Sequence, residues 1–367
     1  MGLSFIKHDT NIDFIGYRYW SYGISVLLIL VGLGAAIWGN GLKMGIDFAG
    51  GVIVQVQFAQ PVSDEALKTS LDVPALPGIT TQRYGEGGRD YLLRFSKAEN
   101  ADATQLRTTV TGTLAAAFPG NPAEIVRLEI VGPKVGADLT NKALSALYYS
   151  ILLIAVYISG RFEQRWMAGA AMAGALWGGM YVVGLTGLSM GWLVLLSLGI
   201  TMGVCLALRL NFALGAVVGL LHDVLITVGL LALMGVEIDL NVMAALLTLV
   251  GYSLNDTIIV YDRLRENLRA DPHMDMAALI NRSVNQTLSR TILTSGTTFL
   301  ATLSLFLLGG GVIHDFALTM LIGVVVGTAS SIYVSSAVLL ALGDTAFYVN
   351  LVQKKGQYER PGEHGVV

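Results

Sequence analysis

The stretch FALGAVVGLLHDVLITVGLLALM, Phe212–Met234, contains 23 residues, and the only ionisable ones are His222 and Asp223. An α-helix needs about 20 mostly apolar residues to cross a bilayer, so this run reads as a membrane span. Asp223 is its twelfth residue, which puts a carboxyl group at the midplane. A charge there costs at least about 2.5–3.5 kcal/mol. Two readings follow: a carboxyl that carries protons, or a neutral or paired one that locks helix packing. His222 lies about 100° round the helix, and Thr227 one turn further on.

Seven further runs have the same character: Tyr19–Trp38, Leu144–Ser159, Trp166–Thr186, Gly191–Leu208, Asn241–Val260, Ile292–Leu308 and Phe316–Leu342. They predict about eight spans. The second run is short and must borrow from Lys142–Ala143 or Arg161–Phe162. Of the 367 residues, 54% are hydrophobic and only 13% charged; soluble domains average about 25% charged, so lipid must solvate much of the chain. The first run has no small-residue cleavage site behind it and reads as a retained anchor. Cys205 is the single cysteine, so no intramolecular disulfide forms. A net charge of −3 gives nucleic acid no electrostatic reason to bind.

Lys and Arg decide the orientation. Lys7, Arg18, Arg161, Arg165, Arg209, Arg263, Arg265, Arg269, Arg282, Arg290, Lys354, Lys355 and Arg360 all fall on one side, whereas Gly187–Met190, Gly235–Leu240 and Gly309–Asp315 carry none. Residues 1–18 are therefore a cytoplasmic segment and 19–38 the first span. Residues 39–142 form an external domain. Residues 143–342 are a bundle of about seven spans, and 343–367 a cytoplasmic tail. The external domain reads as a ferredoxin-like β-α-β-β-α-β unit. Val54, Val56 and Phe58 alternate with Gln55 and Gln57 as a half-buried strand, and Ser63 opens a short helix to Leu71. Thr80–Tyr84 and Tyr91–Phe95 pair around Gly85, Gly87 and Gly88. Leu106, Val110, Leu114 and Ala117 mark a helix face, and Val126, Leu128 and Ile130 alternate in a last strand.

Other polar residues at membrane depth are few. Asn255 and Asp256 lie in the inner third of Asn241–Val260, and Arg263 is seven residues on, on the same helix face; an acid and a base snorkelling at the rim is the plain alternative. Asp262–Asn267 reads as an interfacial amphipathic helix. Thr294, Ser295, Thr297, Thr298, Ser330, Ser331, Ser335 and Ser336 suggest a polar seam. Glycine pairs at 174/178, 199/203, 215/219 and 323/327 suit close helix packing. Enzyme motifs are absent: there is no Gly-x-Ser-x-Gly, His-Glu-x-x-His or phosphate-binding loop. No metal site or cofactor is expected.

Several segments carry a resemblance. Asn11-Ile12-Asp13-Phe14 precedes the first span, Gly45-Ile46-Asp47-Phe48-Ala49-Gly50-Gly51 follows it, and Val131–Gly136 leads to the second. Leu221-His222-Asp223-Val224, Gly251–Thr257, Asp262–Asn267, Arg290–Thr298 and Gly327–Tyr333 come next in order. Together they resemble the SecF branch of the SecD/SecF family, in the RND superfamily. That resemblance implies an accessory subunit in the bacterial cytoplasmic (inner) membrane, working with SecD beside the SecYEG channel, with YajC as a further partner. It would use the proton gradient to draw unfolded polypeptide outward. Asp223 matches the family's membrane aspartate, and Asp256 with Arg263 its other polar cluster. His222, Thr227 and Asn255 are accessory candidates. A self-sufficient RND-type exporter of small molecules or lipids is the rival reading, as is a passive scaffold. Such exporters usually repeat the span-and-domain unit, and this chain has one. The family pattern has six spans; here residues 166–211 insert two more, which preserves the orientation of everything downstream.

Overall fold

The structure, a computed structural model, describes residues 11–38, 41–71, 79–84, 87–95, 103–163, 165–184, 189–343 and 345–353. Much of the expected cytoplasmic tail, 354–367, lies outside them, as do Gly85 of the expected hairpin and Gly187 and Leu188 of the expected loop Gly187–Met190.

Helix α1 (Arg18–Trp38) leads to a single turn, α2 (Ile46–Ala49), and then to β1 (Gly51–Phe58), α3 (Asp64–Leu71), β2 (Thr80–Tyr84), β3 (Asp90–Phe95), α4 (Ala103–Ala117) and β4 (Ala123–Val131). The expected β-α-β-β-α-β order is present. The four strands form one antiparallel sheet in the order β2-β3-β1-β4. Val52, Val54, Val56 and Phe58 face α3 and α4 and share a core with Leu67, Leu93 and Leu114, because side chains two apart on a strand share a face. The Ser63 hydroxyl accepts from the Ala66 amide at 3.3 Å and caps α3. One detail of the strand reading fails. The β1–β4 register slips between Gln55 and Val56, leaving Val126 without an opposite number. A bulge of this kind shifts the alternation by one residue, so Ile125 is buried and Val126 exposed.

The bundle follows as α5 (Pro133–Ile158), α6 (Trp166–Gly184), α7 (Met190–Ala207), α8 (Asn211–Met234), α9 (Leu240–Ala270), α10 (Met276–Leu308), α11 (Gly311–Ser330), α12 (Ser336–Leu342) and α13 (Thr345–Gln353). π-helical turns at Ser159–Glu163 and Ser331–Ser335 continue α5 and join α11 to α12. Among the described residues, seven helical segments are long and apolar enough to cross a membrane. The short second run is solved by length, since the span and its π turn extend over Pro133–Glu163. The eighth expected span, α6, is a helix of 19 residues and is not among the seven. Asp262–Asn267 is not a separate interfacial helix but the continuation of α9, with Leu264 and Leu268 buried.

The sheet end and the far end of the bundle are distinct. The Gly45 amide donates to Ile238 O at 2.8 Å, the Ile238 amide to Lys43 O at 2.8 Å, and the Leu240 amide to Asp47 Oδ2 at 3.0 Å. These bonds bind the segment around α2 to the loop between α8 and α9. Gly51, at φ 140°, lies where a Cβ would approach Phe95 O within 2.7 Å, a position only glycine fills comfortably. At the opposite end, Asn285 exchanges two hydrogen bonds with Ile12, at 3.0 and 2.9 Å, and Asn281 bonds Ile15 and Asp13, at 3.0 and 2.7 Å. The segment before α1 is thereby docked on α10.

Of the four glycine pairs, two pack helices closely. Cβ atoms at Gly215 and Gly219 would meet Tyr261 and Ser335, and at Gly323 and Gly327 they would meet Leu249 and Ser253. Gly174, Gly178, Gly199 and Gly203 face open space. The tightest backbone approach between two helices was not in that set: a Cβ at Gly32 of α1 would sit 2.6 Å from the Gly229 Cα of α8.

Candidate functional site: two buried carboxyls among hydroxyls

Helix α8 is buried on most of its surface because α1, α5, α9 and α11 all pack on it. That enclosure places Asp223 inside protein instead of lipid, with 1% exposure. Its Oδ2 accepts from Ser253 Oγ of α9 at 2.5 Å and from Ser330 Oγ of α11 at 2.8 Å. Its Oδ1 meets His222 Nδ1 at 2.9 Å, and His222 Nε2 meets Ser25 Oγ of α1 at 2.8 Å. Gly327 makes room for this arrangement, since a Cβ there would press on Ser253 and on Asp223 Oδ2. Among the described residues, no Lys or Arg pairs with Asp223; its one ionic partner is His222. A carboxyl at this depth, held by hydroxyls that can donate or accept and not by a fixed cation, has partners for both its charged and its protonated form.

Asp256, one turn beyond Ser253 on α9, is 2% exposed. Ser295 Oγ of α10 donates to its Oδ2 at 3.0 Å, and Thr328 Oγ1 of α11 donates to Ser295 Oγ at 2.8 Å. The two carboxyls thus share α9 and α11 as walls. Asp256 and Arg263, expected on one helix face, do not pair. Arg263 Nη1 bonds Glu266 at 2.8 Å with both side chains well exposed. Seven residues bring the two to one face but separate them by about 10 Å along the axis. Asn255 is exposed. Thr227 is fully buried, and its hydroxyl has no hydrogen-bond partner. Of the expected hydroxyl seam, Ser295 and Ser330 reach the carboxyls, whereas Thr294 and Thr297 bond back to their own helix at 3.0 Å.

The sequence reading missed three participants. Ser25 and Ser253 lie in apolar spans, and only the tertiary packing brings them to the site. Glu163 was not singled out. It is 7% exposed, and its Oε1 accepts from the Phe212 amide at 2.8 Å, which satisfies an otherwise orphaned donor at the start of α8. Around it, Phe162, Phe212, Tyr261 and Tyr348 form an aromatic cluster with centroids 5.1–5.6 Å apart. Arg161 pairs with Asp262 at 3.0 Å, and Arg265 lies over the Phe162 ring.

Known proteins are similar to this chain. The chain matches the family "Protein export membrane protein SecD/SecF, C-terminal" over 111–190 and 185–345, and the SecD/SecF GG motif over 35–62. The break between the two pieces falls inside the two-helix stretch that contains α6 and α7. A protein translocase subunit SecF from Calditerrivibrio nitroreducens is 36% identical over 339 residues, covering 92% of this chain and 96% of that one. The SecF of Escherichia coli O157:H7 is 36% identical over 340 residues, covering 92% and 90%. The crystal structure of SecDF, a translocon-associated membrane protein from Thermus thermophilus, superposes with a TM-score of 0.66 at 31% identity, over 93% of this chain. The chain spans 39% of the length of that SecDF polypeptide.

Proposed function

The chain belongs to the SecD/SecF family of protein export membrane proteins, and from that membership we propose that it is the SecF-type half of a proton-driven accessory to the Sec export channel. Its partner is SecD, its neighbours are SecYEG and YajC, and its cargo is unfolded polypeptide leaving the channel. The solved SecDF relative, whose single chain is much longer than this one, supports a SecD partner. The Lys/Arg asymmetry supports both termini in the cytoplasm of a bacterial cell and residues 39–142 on the outside. Eight spans, with α6 as the additional one, fit that orientation, because an even number returns the chain to its starting side.

The observation that carries the reading is Asp223, buried at mid-span among hydroxyls and one imidazole with no lysine or arginine beside it among the described residues. One elementary charge crossing 100 mV yields about 2.3 kcal/mol, enough to shift a domain between two positions a few kcal/mol apart. In this mechanism Asp223 takes and gives the proton, while Ser253, Ser330 and His222 hold its carboxyl in either state. Asp256 with Ser295 forms the second polar station, and Arg263 a cation at the cytoplasmic rim. The sheet domain, tied to the bundle through α2, is the part that moves. Asp223→Asn keeps the shape and much of the hydrogen bonding but cannot ionise. The variant should assemble with SecD at normal levels and lose gradient-driven stimulation of secretion, while Asp223→Glu retains some. Secretion at the wild-type rate by an assembled Asp223→Asn complex would leave Asp223 a packing residue.

A further inference from the structure

On α8, Asn211, Gly215, Gly219 and Asp223 follow one another at intervals of four, so they lie along one stripe of the helix. The stripe runs from Asp223 to the far end of the bundle, away from the sheet. Each position faces a polar group. Ser330 Oγ meets Asp223 at 2.8 Å. A Cβ at Gly219 would collide with Ser335 Oγ, and one at Gly215 with the Tyr261 hydroxyl, which itself donates to Ser335 O at 3.2 Å. Asn211 Nδ2 donates to the Tyr348 hydroxyl at 3.3 Å, beside the Glu163 carboxyl that caps Phe212.

Glycines on one stripe would by themselves signal only close packing. Ser335 Oγ, aimed at Gly219 on a fully buried residue, lacks a hydrogen-bond partner, and so does Glu163 Oε2 at the far end of the stripe, on a residue 7% exposed. A buried polar atom left unpaired is costly, and native proteins keep few of them. Both also sit on π-helical turns, a geometry that occurs often at functional sites. From Phe212 to Asp223 the helix rises about 16 Å, too far for one proton transfer and short enough for a few stations.

We propose that this stripe is the far-end half of the proton route from Asp223, with the Ser335 and Tyr261 hydroxyls as intermediate stations and Glu163 as the terminal carboxyl. The proposal rests on the reading of Asp223 as a proton carrier. Protonated Asp223 releases its proton and becomes a carboxylate. Each hydroxyl accepts one proton and passes on its own. The Glu163 carboxylate becomes the acid and then yields the proton to water at the far end. Proton number and charge balance, and no redox partner is needed.

The test uses the full chain with its co-purifying subunits in proteoliposomes, an imposed pH gradient and a pH-sensitive dye inside. Glu163→Gln keeps an acceptor oxygen for the Phe212 amide, so the start of α8 survives; Ser335→Ala removes only a hydroxyl. Each should slow proton flux about tenfold or more, the scale of losing one proton-transfer group, with subunit assembly unchanged, and Glu163→Asp should restore part of it. Should Glu163→Gln fail to assemble, Ser335→Ala alone decides. Flux within about twofold of wild type in these variants, while Asp223→Asn is inactive, overturns this route and leaves Asp223 as the carrier. Wild-type flux in Asp223→Asn removes the underlying reading and the route with it.

Discussion

Removing Arg94 tests what holds the sheet domain on the bundle. Arg94 stands on β3, on the sheet face opposite the α3/α4 core, and pairs with Glu237 in the loop between α8 and α9. Around the pair lies a crevice of about 590 Å³ that is also lined by Asp47, Asp239, Glu129 and Asp315. Burial lowers the pKa of Arg94 from its ordinary value, and Asp239 and Asp315 draw it back up. The two side chains are 20% and 24% exposed, between a surface pair worth about 0–1 kcal/mol and a fully buried one whose breaking costs about 3–5 kcal/mol. A coupling of about 1–2 kcal/mol follows, a five- to thirty-fold change (roughly) in a local opening constant. Hydrogen exchange of the full chain reads it directly, since the amides of Gly45, Ile238 and Leu240 bridge domain and bundle. Arg94→Gln, Glu237→Gln and the double variant form a cycle. The double variant should open much less than the sum of the singles. Additivity within about 0.5 kcal/mol would refute the latch.

The same crevice predicts a pH dependence. Burial pushes the Asp239 carboxyl above its ordinary value; the Val242 amide lowers it, and Asp47 and Asp315 raise it. The folded state then holds this proton more tightly than the unfolded chain, so stability is greatest at low pH and falls as pH rises through the folded value. Exchange of the Ile238 and Leu240 amides, corrected for intrinsic rate, should slow as pH drops from neutral, and Asp239→Asn should flatten the trend. Gly229→Ala should lower the thermal midpoint by an amount equivalent to about 1–3 kcal/mol, because its Cβ would meet the Gly32 backbone at 2.8 Å and backbone cannot swing aside; Gly174→Ala, with open space, should change it little. In intact cells an impermeant thiol reagent should label Ala115→Cys on α4 and spare Ala270→Cys at the end of α9, and the reverse would invert the proposed orientation.

Much of this architecture was legible because its signals are local. The apolar runs and the alternation of Val54, Val56 and Phe58 are properties of single segments. The bulge at Val126 was not legible, since a register slip leaves the composition of a strand unchanged. The π turns were hidden for the same reason: one extra residue in a helical turn alters hydrogen bonding, not hydrophobicity. At the site, depth singled out Asp223 and Asp256, but their partners Ser253, Ser330 and Ser295 come from other helices, and which hydroxyl meets which carboxyl is a product of packing. Arg263 shares a helix face with Asp256 but not its surroundings, since seven residues span about 10 Å along the axis. Glu163 did leave a trace, an acid shortly before an apolar segment, but its burial against the start of α8 is a product of packing.

The central claim is that proton movement through this chain drives export, and inverted membrane vesicles test it most directly. Secretion of a preprotein is followed with ATP present, with and without a protonophore, in vesicles carrying wild type, Asp223→Asn or none of this chain. The proton-driven reading predicts that wild type adds an increment which the protonophore abolishes, and that Asp223→Asn matches vesicles lacking the chain while ATP-driven secretion continues. An increment that survives the protonophore, or one that Asp223→Asn supplies in full, would contradict it.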